Sequence, residues 1–173
     1  MYFKAMPTMV YRTPAGDDRI VRDIFKRVFY RGSITGQLSM DSYYVKNYET
    51  PEIIASKLYN NPQYHWIILM ANNIVDIPKE WPKSPEVLDA YVTKKYGSGN
   101  EQAIHHYRIT GRDPEVIVDY DAASVTAGTH ESVTNYDYEI ALNEDKKQIK
   151  ILKKEFVAEF VIQYKRLMAS QNG

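Results

Sequence analysis

Four histidines, His65, His105, His106 and His130, are the side chains best suited to acid–base or metal chemistry in this chain. A helical metal site needs His-x-x-x-His or His-Glu-x-x-His spacing, which puts both imidazoles on one face. Neither spacing occurs. His105 and His106 are adjacent on an expected strand, where successive side chains point to opposite faces, so they are not expected to grip one ion. His65 stands beside Trp66 on an expected helix, and His130 falls in an expected loop. A nucleophile is no better supported: there is no cysteine and no Gly-x-Ser-x-Gly elbow. Gly97-Ser98-Gly99 follows a helix instead of opening one, the reverse of the order that cradles phosphate. Asp119 and Asp121 form a carboxylate pair near a strand end, where such pairs usually face solvent. The expectation is a non-enzyme with no catalytic residues, no metal and no cofactor. The competing enzyme reading, through His65, His105 or His106, predicts loss of an activity on His→Ala with folding intact.

The elements that must position these residues belong to a chain of 173 residues, long enough for one ordinary domain or a small module in a larger body. With 44% hydrophobic and 25% charged residues it has a globular composition. Lys plus Arg and Asp plus Glu number 22 each, so no net field steers it to nucleic acid or an anionic membrane. No stretch approaches the roughly 20 apolar residues that span a bilayer, and the first residues lack a secretory core. A soluble protein that is not exported is expected, with no nucleic acid, membrane or small-molecule partner. Fifteen tyrosines against five phenylalanines tilt the composition toward protein contacts, since tyrosine joins an apolar face to a polar tip.

Taken in order, Met1 to Gly16 is an extended arm whose Tyr2, Phe3, Met6, Met9, Val10 and Tyr11 are too apolar to be left in water. Arg19 to Gly32 has a helical stripe, with a strand as the alternative because Val, Ile and Phe also suit sheets. Leu38 to Tyr48 is strand-like. Thr50 caps and Pro51 opens a helix that Asn60-Asn61-Pro62 ends, and a second helix runs from about Gln63 to Asn72. Ser84-Pro85 starts a third, ended by Gly97. Ala103 to Ile109 and Glu115 to Tyr120 are expected strands, and Ala122 to Glu131 a flexible loop. Tyr136 to Leu142 and Gln148 to Leu152 alternate on either side of 143–147, predicting a β-hairpin before a helix over Lys154 to Met168.

The order strand, Glu-Thr-Pro, Ile-Ala-x-Lys-Leu-Tyr, Asn-Pro, aromatic helix, Asn-Asn resembles a LysM module of βααβ fold. The matching positions are Tyr44, Val45, Thr50, Ile54, Ala55, Lys57, Tyr59, Trp66, Ile67 and Asn72. The usual Gly-Asp-Thr turn is Tyr48-Glu49-Thr50 here, and no closing strand follows Asn73 directly. A longer run, TPEIIASKLYNNPQYHWIILMANNIVDIPKEWPKS, with 23–27 before it and the 138–152 segment after it, resembles the LysM-like baseplate wedge proteins of contractile-tailed bacteriophages. The fold class expected is α+β: an embedded LysM-like βαα(β) module, an extended N-terminal arm and a C-terminal β-hairpin plus helix. The expected segments are 1–40, 41–100 and 101–173.

That resemblance implies a structural component of the virion that joins adjacent wedges into a six-fold ring around the central hub, made and assembled in the host cytoplasm. Its partners would be other wedge and hub proteins and copies in neighbouring wedges. Tyr59, Asn60, Asn61, Trp81, Tyr2, Phe3 and Tyr11 are the expected contact residues. Tyr44, Thr50, Ile54, Tyr59, Trp66 and Asn72 are the expected LysM-like groove or core. The alternative is a LysM-type protein that binds peptidoglycan or chitin oligomers.

Overall fold

The computed structural model describes residues 6–23 and 39–170. They fall into two compact units. The first takes the described residues up to Tyr44, then Glu49–Glu80 and the chain from Ile149; the second takes Val45–Tyr48 and Trp81–Gln148. The chain therefore leaves the first unit after Glu80 and re-enters it at Ile149. Both combine helices with small sheets, an α+β architecture.

In the first unit, β1 (Thr8–Arg12) and β2 (Asp18–Arg22) form an antiparallel ribbon. Strand β3 (Met40–Tyr44) pairs with β7 (Gln148–Leu152). Lys153 N donates to Ser39 O (2.9 Å) at one end of that ladder. Helix α1 (Pro51–Tyr59) has the expected start: Thr50 Oγ1 accepts from Ile53 N, Pro51 needs no donor in the first turn, and Glu52 faces the positive helix end. Asn60 ends it in left-handed backbone (φ 58°). A 3₁₀ turn at Pro62–Tyr64 leads into α2 (His65–Ala71), followed by the short α3 (Ile77–Glu80). Helix α7 (Val157–Ser170) closes the unit, with Val157, Phe160, Tyr164 and Met168 buried at helical spacing. The Trp66 ring lies 4.7 Å from that of Tyr164 and 5.9 Å from that of Phe160. Ile54, Ile67, Ile68 and Leu152 complete a dry apolar core.

The second unit contains α4 (Pro85–Tyr96), β4 (Ile104–Ile109), β5 (Ile117–Val118), α5 (Ala122–Thr126), β6 (His130–Thr134) and α6 (Asn135–Asp145). Its sheet runs β5-β4-β6, with both pairings antiparallel. Trp81, Leu88, Val92 and Val133 supply apolar burial, but Asn135, Glu139 and Asn143 are buried with them.

Several expectations need correction. The 136–152 hairpin does not form. Tyr136 to Leu142 lies in α6, where Thr134 caps by accepting from Asp137 N (3.0 Å). The buried positions there are Asn135, Glu139 and Asn143, a period of four carried by polar residues that a search for apolar periodicity overlooks. Gln148–Leu152 is a strand, but its partner is β3. The expected 122–131 loop holds α5, a turn at 127–129 and the first residues of β6. Asp121 nucleates α5 by accepting from Ala123 N and Ser124 N. Over 19–32, where a helix was expected with a strand as the alternative, Asp18–Arg22 is strand β2; cross-strand pairing to β1 decides between two propensities of similar size. Asp23 follows the strand, and residues 24–32 lie outside the described residues.

Candidate interaction surface

The β1–β2 ribbon is the most exposed apolar element among the described residues. A tight turn makes it: Gly16 N donates to Thr13 O (2.9 Å) and Thr13 N to Asp17 O (2.8 Å), with Gly16 at φ +91°, a conformation that favours glycine. Asp23 N to Pro7 O (2.9 Å) and the Arg22 guanidinium to Met6 O (2.7 Å) close the far end, where Met6 is buried. Register places Met9 opposite Val21 and Tyr11 opposite Arg19 on one face. Val10 opposite Ile20 lies on the other, flanked by Arg12 with Asp18 and Thr8 with Arg22. Every residue of both strands is exposed, Ile20 at 79% and Val10 at 64%. A lone two-stranded ribbon is marginal in water, and apolar side chains open on both faces are what a partner surface would cover.

Structure sorts the other expected contact residues. Tyr59 and Trp81 are each only 6% exposed, so both are core side chains and offer no contact surface. The Tyr59 hydroxyl donates to Leu152 O (2.9 Å), and burial, opposed in part by that bond, pushes its phenol up to about 12. Asn60 and Asn61 stay accessible at the end of α1, where Asn61 Oδ1 accepts from Gln63 N (2.9 Å). Tyr11 is exposed on the ribbon. Tyr2 and Phe3 lie outside the described residues.

The groove-or-core group divides similarly. Ile54 and Trp66 are buried, Thr50 is the α1 cap, and Tyr44 is exposed. Asn72 does something the sequence did not announce. Its side chain accepts from Lys150 N (2.8 Å) and donates to Lys150 O (2.7 Å), acting as one more residue of backbone beside β7. In the second unit Asn143 treats Lys83 alike, accepting from its N (2.7 Å) and donating to its O (3.0 Å). Near the α1 cap, Tyr43 donates to Glu49 (2.9 Å) and Lys57 donates to both Tyr43 (3.1 Å) and Glu49 (3.3 Å); these bonds, Tyr43 foremost, raise the Lys57 ammonium above its ordinary range.

His105 and His106 overturn the alternation argument. A register shift between Ile104 and His106 marks a bulge in β4, which turns two consecutive side chains to the same side. Their Nδ1 atoms lie 2.8 Å apart. His106 Nε2 contacts Glu115, Arg108 bonds Glu115 (3.1 Å) and Glu131 (2.7 Å), and His105 stacks on Tyr138 at 4.0 Å. Partial burial pushes the Glu115 carboxyl up, but the bonds from His106 and Arg108 outweigh it and hold the group below the ordinary carboxylate range. The bulge has no signal in the local sequence. Elsewhere, His65 Nδ1 sits 3.0 Å from Pro62 O, and the Asp121 carboxylate is held low by Ser124 and the α5 backbone donors. Among the described residues no group of three or more His, Asp or Glu is placed to hold a metal ion, and no helix is long and apolar enough to cross a membrane.

Comparison with known proteins identifies the family. The family described as Base plate wedge protein 53 matches residues 15–127. Baseplate wedge protein gp53 of Enterobacteria phage T4 is 27% identical, over 87% of this chain and 85% of the relative. The family match spans more than half of the sequence, from the ribbon turn through both helices after β3 to the second-unit sheet: the chain belongs to the base plate wedge protein 53 family.

Proposed function

We propose that this protein, a structural component of a phage tail baseplate by its family, joins adjacent wedges so that six close into a ring around the central hub. The observation that carries the reading is the family match, and the exposed ribbon supplies a surface for it. On this reading the ribbon seats on another wedge or hub protein, or on a copy in the neighbouring wedge, and Val10 with Ile20 forms the dry centre of the contact. Arg12, Asp18 and Arg22 would form its polar rim. Synthesis and assembly take place in the host cytoplasm, and the finished protein resides in the virion. Electron microscopy of tails made without this gene should show free wedges or no baseplate; normal infectious particles would overturn the reading. Val10→Asn with Ile20→Asn should abolish complementation of such a deletion while the purified protein melts as before.

We also read β3, α1, α2 and β7 as a LysM-like βααβ module whose closing strand arrives only after the second unit has been inserted. Tyr48 supports this: it sits at φ 68°, a conformation that favours glycine, at the position of Gly in the usual Gly-Asp-Thr turn. A glycan-binding role for that module is the second reading. Retention on purified cell walls with release by competing chitin oligomers would favour it; passage unretarded would exclude it.

A further inference from the structure

The His105–His106 contact has a proton inventory fixed by its neighbours. A carboxylate can only accept, so His106 must present N–H at Nε2 to Glu115 whatever its charge. Its Nδ1 is then bare if the ring is neutral and protonated if the ring is cationic. Across the 2.8 Å gap, His105 Nδ1 must carry the opposite state: one nitrogen donates and the other accepts. The pair thus holds together with no extra proton or with one. A second extra proton puts an N–H on both facing nitrogens, and the contact cannot survive it.

Glu115, which His106 contacts, is also bonded by Arg108, and Arg108 reaches Glu131 on the neighbouring strand. Tyr138 of α6 stacks on His105 with rings 12° apart, and Tyr96 of α4, whose hydroxyl donates to Glu139 of α6 where Lys95 also bonds, meets it edge-on at 6.3 Å. His106 is anchored by Glu115 and its side chain is only 8% exposed, so His105 is the ring free to leave.

We propose that His105 and His106 form a two-proton latch: the first proton is accommodated in place, and the second expels His105 from the Tyr138 stack, uncoupling the β4 bulge from α6. Imidazole is the side chain suited to this, because its charge changes within the mildly acidic range. Glu115 and Arg108 are positioning residues, and His105 is the moving part.

The test is histidine-selective NMR of the intact chain, titrated from pH 8 to pH 4.5. The expected result is two separated protonation steps for the pair, with the Tyr138 ring and the amides of 104–106 shifting only in the second. His105→Phe keeps an aromatic on Tyr138 without the nitrogen and should lose that Tyr138 response. One shared, uncoupled step, or Tyr138 shifts that persist in His105→Phe, would overturn the latch. If the variant fails to fold, the wild-type titration alone decides: an unmoved Tyr138 ring through both steps overturns the proposal.

Discussion

Trp66 in the first unit and Glu139 in the second are both buried on helices, yet different physics satisfies them. Trp66 rests among Phe160 and Tyr164 in an apolar core where shape and area do the holding. Glu139 accepts from Lys95 (2.5 Å) and Tyr96 (2.9 Å), and its helix neighbours Asn135 and Asn143 bond the Asn100 carbonyl and the Lys83 backbone. Lys95 is driven up by the Glu139 bond first, against partial burial. An apolar core tolerates changes of pH and salt but not of volume. A polar interior tolerates little loss of a partner, because each buried group left alone keeps its desolvation cost. The first unit should therefore respond to cavities, and the second to removal of single hydrogen-bonding groups.

The largest effect expected is Trp66→Ala, which empties the first-unit core at a cost of ~3–5 kcal/mol by denaturant unfolding. Loss of protection in α2 and α7 by hydrogen exchange, with α4 and α6 keeping theirs, would support the contrast; equal loss in all four would break it. Next is Glu139→Ala, which removes the acceptor shared by the Tyr96 hydroxyl and Lys95. With Lys95 still reached by water, about 1–3 kcal/mol is expected. Hydrogen exchange should place that loss in α4 and α6, and Glu139→Gln, which can still accept, should restore part of it.

Smaller again is Tyr59→Phe, which forfeits one hydrogen bond to Leu152 O, ~0.5–1.5 kcal/mol. Its sharper readout is alkaline. The folded unit holds this phenol protonated up to about 12, above the usual 10.0, so its contribution is intact below the ordinary phenol value and is lost as pH rises through about 12. A base-induced loss of stability in that window should be reduced in Tyr59→Phe. The smallest stability change belongs to Val10→Asn with Ile20→Asn on the ribbon, within about 0.5 kcal/mol because both side chains already face water. A large loss of stability there would mean the ribbon packs on its own unit.

Much of the fold is legible in local sequence. The Thr50 cap with Pro51, the first-turn Pro85 and the Val157 to Met168 stripe specify α1, α4 and α7, because a cap, a first-turn proline and an i, i+3, i+4 pattern act within a few residues of themselves. Ser84, expected to cap α4, makes no side-chain cap bond. The same segment that carries α1 and α2 also carries the family resemblance, so the baseplate assignment was within reach of sequence. The site was less legible. Tyr59 and Trp81 are large amphipathic residues, and composition cannot tell an aromatic that fills its own core from one that fills a partner's pocket.

What sequence determined by itself, then, is the set of helices with strong termini, the absence of thiol chemistry and the family. Tertiary structure alone decided the rest. Alternating Tyr136, Tyr138, Ile140 and Leu142 suit a strand, and only packing of Asn135, Glu139 and Asn143 against distant backbone and side-chain partners makes that segment α6. Strand β7 pairs with β3 from far along the chain, with Lys153 N bonding Ser39 O at the end of that ladder and the Asn72 amide bonding the Lys150 backbone within the strand. The bulge that brings His105 to His106 arises from the register of β4 against β6. In each case the deciding partner lies far off in the chain, and pairing energy that is realised only in the folded state has no local signature.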